Sequence, residues 1–421
     1  MEPWIALAIL VVTYGAIASD RVDRTVAALL GAAVVILLGI ITQETAFAAV
    51  DWNVIFLLFG MMVIAGVLRR TGIFGWLAVR TVRVARGDPL TILLLLAGVT
   101  ALLSAFLDNV TTVVLLVPVT LYIATTLRLS PIPFVLAEVL ASNIGGTATL
   151  IGDPPNILIG SASGLTFVDF ILNLTPVILV VFVACAAALA LVFRRQLTVS
   201  PEVREAVLAI DDSGFISDHR LLRLGLLVLG LTIIGFLFAS VIHQQPATIA
   251  LLGAAVLILV ARVDPDELIR EVDWPTLLFF VGLFVLVEGL VATGVIEAVG
   301  THLIELTGGD QAVTTLGLLW VSGVASAFVD NIPYTATMIP VVQQVGTSGL
   351  AVEPLWWALA LGACLGGNAT IIGASANVVA ASAVARAGNP ISFVQFLKVG
   401  GLVALISMVI SSAYLWVRYL A

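Results

Sequence analysis

The sequence predicts an all-α membrane protein of two inverted-topology repeats, with about ten transmembrane helices, two re-entrant hairpins and two broken helices. Three observations carry this expectation. The 421-residue chain is 61% hydrophobic and 10% charged, with a mean hydropathy of +1.18, more apolar surface than a water-soluble core buries. A stretch recurs 222 positions on, from Leu29–Leu37 against Leu251–Leu259, through Asp51-Trp52 against Asp273-Trp274 and Thr71-Gly72 against Thr293-Gly294, to Ser104–Asn109 against Ser326–Asn331. The basic residues divide very unevenly between the two faces that such a repeat defines.

Windows long enough, at a rise of about 1.5 Å per residue, to cross about 30 Å of hydrocarbon are 4–19, 25–41, 52–68, 167–193, 224–242, 247–261, 275–291 and 399–417. The N-terminus has no basic leader, so the first window reads as a retained helix and not a cleaved signal. The first repeat, 1–195, takes scaffold helices in 1–70, an interfacial helix at 73–87, a hairpin at 89–128, a broken helix at 132–163 and a helix at 167–193. Arg80, Arg83 and Arg86 fall three apart among apolar residues, the pattern of an amphipathic helix lying at the membrane surface. The polar stretch 196–222 reads as a cytoplasmic linker without chemistry of its own. The second repeat, 223–421, takes scaffold helices in 224–292, an interfacial helix at 295–308, a hairpin at 311–350, a broken helix at 355–385 and a helix at 393–418.

With five crossings and one hairpin per half, the second half is inverted. Walking the chain through this topology puts seventeen of the eighteen basic residues, Arg24 among them, on one face and Arg418 alone on the other. The crowded face is then cytoplasmic and both termini lie outside the plasma (inner) membrane. Inversion also explains why Arg80, Arg83 and Arg86 correspond to His302, Glu305 and Gly308, and why Arg262 and Arg270 correspond to Ile40 and Ala48.

The polar interruptions locate the candidate site. Asp108, Asn109, Thr111 and Thr112 separate two apolar arms, as Asp330 and Asn331 do in the second half; a buried tip fits better than an exposed turn rich in Gly, Pro and charge. A carboxylate at the bilayer centre costs about 2.5–3.5 kcal/mol on insertion scales, so a repeated one implies a partner or a task. Helix N-capping is the structural alternative, compatible with function. In the second interruption, Asn143, Gly145, Gly146, Thr147, Thr149 and Asn156 answer to Asn368, Thr370, Ser375 and Asn377 one residue out of register. Paired glycines within a 30-residue apolar run (132–163) describe a helix that unwinds midway. The freed backbone groups need a ligand, an ion, water or another segment, and the half-helix ends add dipoles. No GKS/T follows the glycines, so they are no phosphate loop.

The halves also differ. Asp153 faces Ala374, Glu138 has no acidic counterpart, and Glu288 faces Gly66. Asp108, Asp330, Asp153 and Glu138 are the candidates for proton or cation coupling; Glu138 and Glu288 could equally snorkel or pair with an arginine. His219, His243 and His302 map to loops or the interface and read as solvated. The two cysteines, Cys185 and Cys364, read as small core residues.

At these motifs the chain resembles the ArsB/NhaD/P-protein (citrate-transporter-like) branch of the ion transporter superfamily, on Phe106–Thr112, Asn143–Thr149 and Gly152-Asp153-Pro154-Pro155-Asn156. The resemblance implies a scaffold domain that often dimerises and a transport domain that moves as an elevator, and so a homodimer in the lipid bilayer. It implies a secondary transporter, with proton-coupled efflux of arsenite or antimonite as the first expectation and Na+/H+ antiport or cation-coupled anion transport as the alternative. A channel is the reading from another class. No cofactor, resident metal or nucleic acid is expected, and the coupling ion is H+ or Na+. No nucleophile–base set suggests an enzyme. No ATPase signature occurs, which leaves an ion gradient or a separate cytoplasmic ATPase subunit as the energy source.

Overall fold

The computed structural model describes residues 3–18, 21–210 and 214–421, and among them forms helices and no strand. The first repeat comprises α1 (Pro3–Ala18), α2 (Arg24–Leu37), α3 (Gln43–Ala48), α4 (Trp52–Arg70), α5 (Ile73–Val84), α6 (Pro89–Ser104), α7 (Asn109–Thr126), α8 (Ile132–Gly146), α9 (Pro154–Ser163), α10 (Phe167–Asn173) and α11 (Thr175–Phe193). The linker carries α12 (Pro201–Leu208). The second repeat follows as α13 (His219–Leu237), α14 (Pro246–Ala261), α15 (Pro265–Ile269), α16 (Trp274–Ala292), α17 (Val295–Thr307), α18 (Gln311–Phe328), α19 (Asn331–Gly346), α20 (Val352–Gly366), α21 (Ser375–Arg386) and α22 (Phe393–Leu415). Only α10 has no counterpart in it. The fold is the expected all-α membrane architecture of two inverted repeats, each with a hairpin and a broken helix.

The repeated residues are helix ends. Asp88 and Asp310 cap α6 and α18, Asp51 and Asp273 cap α4 and α16, and Asp108 and Asp330 cap α7 and α19, each accepting from backbone N–H groups that the helix leaves free. Gly72 and Gly294 open α5 and α17 in the left-handed region, at φ 78° and 76°, which few other residues adopt without strain. Pro118 and Pro340 stand inside α7 and α19, each removing one backbone hydrogen bond from a hairpin arm.

Packing is reciprocal between repeats. α2 lies on α16 as α14 lies on α4, and α9 packs on α19 as α21 packs on α7. The contacts themselves repeat: a Cβ on Gly60 would sit 2.6 Å from the Ala250 carbonyl carbon, and one on Gly282 would sit 2.8 Å from that of Ala28. Small residues let these backbones touch, which is how helices associate in lipid.

Among the described residues, seven helices are long and apolar enough to cross a membrane alone. The shorter apolar helices, such as α2 with 14 residues, fall below the about 20 residues of a simple span. The expected single helix 167–193 is instead two, meeting at Leu174, because Pro176 has no N–H to continue the ladder. α9 and α10 in turn meet at 117°, across Gly164 and its left-handed backbone. The described part of the linker packs on the first repeat. Arg204 pairs with Asp88 at 3.1 Å, and Phe215 lies against Gly72 and Gly75 at the start of α5.

Candidate functional site

The two hairpin tips and the two helix breaks meet. Asn143, near the end of α8, donates through Nδ2 to Asn368 Oδ1 and Asn377 Oδ1 of the other repeat, both at 2.9 Å, and accepts from Asn109 Nδ2 at 3.2 Å. The breaks, 147–153 and 367–374, free carbonyls that must be satisfied inside the protein. Asn156 Nδ2 donates to Thr147 O at 3.0 Å and Thr149 O at 2.8 Å; Asn377 Nδ2 donates to Gly367 O and Thr370 O, both at 2.8 Å. Thr149 and Thr370 hydroxyls bond Ala105 O and Ala327 O of the preceding hairpins. Thr147 returns its hydroxyl to Asn143 O at 2.7 Å, and Thr112 returns its own to Asp108 O at 3.0 Å.

The neutral groups expected to cage a solute are therefore largely spent on holding the breaks open. Gly145 and Gly146 act through close approach, to Ala101 and to Gly152 respectively. Asn368 Nδ2 is buried without a partner. Replacing Asn377 by Leu should leave two buried carbonyls unpaired at about 1–3 kcal/mol each, read as a lowered unfolding temperature; an unchanged temperature would deny the staple.

The charged groups tell a different story. Asp153 is fully buried and receives Asn331 Nδ2 on both oxygens at 3.3 Å. It lies within Coulombic reach of Asp108 and Asp330, and Asp108 within reach of Asp273 and Arg24. Asp108 accepts from Thr111 N at 2.9 Å and Thr111 Oγ1 at 3.2 Å, and Asp330 accepts from Ser375 Oγ at 2.6 Å. Arg24 reaches the Ser375 hydroxyl, Thr276 Oγ1 at 3.0 Å and Asp330 Oδ2 at 3.8 Å. A chamber of about 20 Å³ is lined by Asp108, Asp153, Asp273, Arg24, Asn109 and Asn331, among others; it has room for one water-sized occupant. Among the described residues no three His, Cys, Asp or Glu side chains gather closely enough to hold a metal ion together.

Two larger cavities flank this centre. One, of about 400 Å³, is lined by Tyr14, Arg24, Asp273, Asp330 and Ser375 with apolar walls. The other, of about 410 Å³, is lined by Asn53, Ile157, Ser161, His243 and Gln245. They are repeat counterparts: Ala18, Asp23, Arg24 and Val378 of the first answer to Ser240, Gln245, Pro246 and Ile157 of the second.

Most of the expected residues come together, while Glu138 stands apart on α8. It is fully buried, accepts from Thr120 Oγ1 at 2.6 Å and keeps its other oxygen unpartnered. Glu288 is half-buried on α16. Cys185 is a core residue as expected, but Cys364 is buried at the site with its Sγ 3.7 Å from Asn156 Oδ1. Sequence reasoning missed Arg24 and Asp273. In the sequence Arg24 is one more basic residue of the crowded face, although α2 begins beside the second hairpin tip, and Asp273 stands out only as the repeat of Asp51. Tyr14, which donates to Pro333 O at 2.8 Å, joins α1 to α19 and was also missed.

Residues 14–362 match the protein-family model described as Citrate transporter. The chain is 46% identical over 423 residues to a 46 kDa membrane protein of Mycobacterium leprae, covering 99% of both chains. It is 47% identical over 422 residues to an uncharacterized transporter of Mycobacterium tuberculosis, covering 99% of this chain and 98% of that one. Against the human P protein it is 36% identical over 500 residues, 99% of this chain but 60% of the relative. Among solved structures it is similar to the YdaH transporter of Alcanivorax borkumensis, with a TM-score of 0.57 and 18% identity over 91% of this chain and 88% of that one.

Proposed function

We propose that this chain, which belongs to the citrate transporter family and is a membrane transporter, is a secondary carrier driven by a proton or sodium ion that binds at Asp108 and Asp153. The observation that carries the reading is the charge balance of the central chamber, where Asp108, Asp153 and Asp273 face one arginine. Like charges crowded in a low-dielectric centre are costly unless a cation joins them. One or two carboxylates at a time suit a monovalent ion.

Efflux of arsenite or antimonite as a neutral hydroxide calls for an uncharged polar cage with buried carboxylates able to carry protons. Most amides and hydroxyls of that cage are engaged with each other or with backbone, so cation coupling, the alternative in the sequence reading, has the stronger support. The two symmetry-related cavities support alternating access by an elevator movement, each cavity being the path to one side of the membrane.

The test uses purified protein in liposomes carrying an internal pH dye. A sodium pulse against an imposed proton gradient should shift the dye signal, and Asp108→Asn should reduce the response by about tenfold or more. A proton-driven carrier without sodium coupling would respond instead only when a transported solute is supplied. Equal responses in liposomes with and without protein, across sodium, potassium and a panel of carboxylate and oxyanion solutes, would reject ion coupling.

A further inference from the structure

The two hairpin tips carry equivalent aspartates in unequal surroundings. Among the described residues, the Asp108 side chain is bonded within its own tip, to Thr111. Asp330 accepts from Ser375 at the start of α21 and faces Arg24 at the start of α2. Neither partner has an equivalent in the other half, since Pro246 stands where Arg24 would be repeated and Pro154 where Ser375 would be. Arg24 is further fixed by Thr276 and by the ring of Phe279, 5.5 Å from its guanidinium carbon. One guanidinium thus ties together α2, α16, the second hairpin tip and the second half of a broken helix.

We propose that Arg24 is a positioning residue that latches the second hairpin tip to α2 through Asp330 and Ser375, so that the second repeat gates the site while Asp108 and Asp153 take the coupling ion. The proposal rests on the carrier reading above. A planar, permanently charged guanidinium suits a latch, because it engages a carboxylate and two hydroxyls together and does not titrate. The latch must part whenever α21 and the tip move relative to α2. Its anionic half, Asp330, is then matched by a fixed cation and is not a ligand for a mobile one.

If Arg24 and Asp330 act through each other, removing either one or both opens the same latch. The experiment places a single new cysteine, Val378→Cys, on the wall of the larger cavity that Arg24 lines. The native cysteines are buried and provide the background rate. Labelling by N-ethylmaleimide in membranes is then timed. Arg24→Gln and Asp330→Asn should each speed labelling by about fivefold or more, and the double variant should match the faster single variant to within about twofold, because all three lose the same latch. Ser375→Ala, which strands no charge, should speed labelling in the same direction, and Arg204→Gln, whose partner Asp88 lies at the start of α6, should leave it unchanged.

A double variant whose acceleration is the product of the two single ones, or unaltered labelling in both Arg24→Gln and Ser375→Ala, would overturn the latch. The readout needs no transport. The expected labelling pattern with no ion-driven flux would keep the latch and reject the carrier reading; flux with an unresponsive Val378→Cys would do the reverse.

Discussion

An Asp153→Asn variant will fold at wild-type yield and lose coupled ion flux by about a hundredfold. Asp153 sits in the break between α8 and α9, fully buried, and Asn331 is its partner on both oxygens. No arginine or lysine is bonded to it among the described residues, so the amide strands no cation, and it relieves the repulsion from Asp108 and Asp330. Stability should therefore hold or rise. The ion, in contrast, loses a charged ligand in a site without bulk water. An interaction with a charged group is worth about 3 kcal/mol at its upper range, which sets the hundredfold figure. Thermal unfolding and dye-reported flux on the same preparation separate the two effects. Wild-type flux from Asp153→Asn would remove this residue from the coupling machinery, and a large fall in unfolding temperature would make its role structural.

Much of this arrangement was legible because the repeat preserves what a helix end requires. Aspartates at 88, 108, 310 and 330 recur since each caps a helix, and Thr-Gly at 71–72 and 293–294 recurs since each left-handed turn needs its glycine. The breaks were legible from paired glycines. The asymmetry of Asp153 against Ala374 was visible in the alignment of the halves alone. What the sequence hid is tertiary. Arg24 reads locally as a charge beside a loop, and only the approach of α2 to the second hairpin makes it part of the site. Asn156 and Asn377 read as solute ligands because side-chain amides suit solutes; they suit freed carbonyls equally well, and a break in lipid must satisfy those first. The bend at Leu174 was lost in a hydropathy window, which averages over a proline.

Gly366→Val will remove most of the folded protein, at a cost of about 4 kcal/mol or more. Gly366 ends α20 where it crosses α18, and a Cβ there would stand 2.3 Å from Gly323 O and 2.4 Å from Gly323 Cα. Both obstacles are backbone atoms of a helix, which cannot turn aside as a side-chain tip can. The first repeat makes the same crossing, with a Cβ on Gly145 only 2.1 Å from Ala101 O. The helices would have to separate, and the break hangs on their contact: Ser326 donates to Ala363 O at 2.6 Å, and the Thr370 hydroxyl holds Ala327 O. Separation would strand these groups away from water as well as opening a gap, so packing and hydrogen-bond losses add. Gly317→Val is the control, since a Cβ at Gly317 on α18 meets nothing within 4 Å. Size-exclusion profile and thermal unfolding should show Gly366→Val aggregated or strongly destabilised and Gly317→Val near the parent. Equal behaviour of the two would mean that α18 and α20 do not touch at Gly366, and the asparagines that meet beside that crossing would lose the frame that holds them in register.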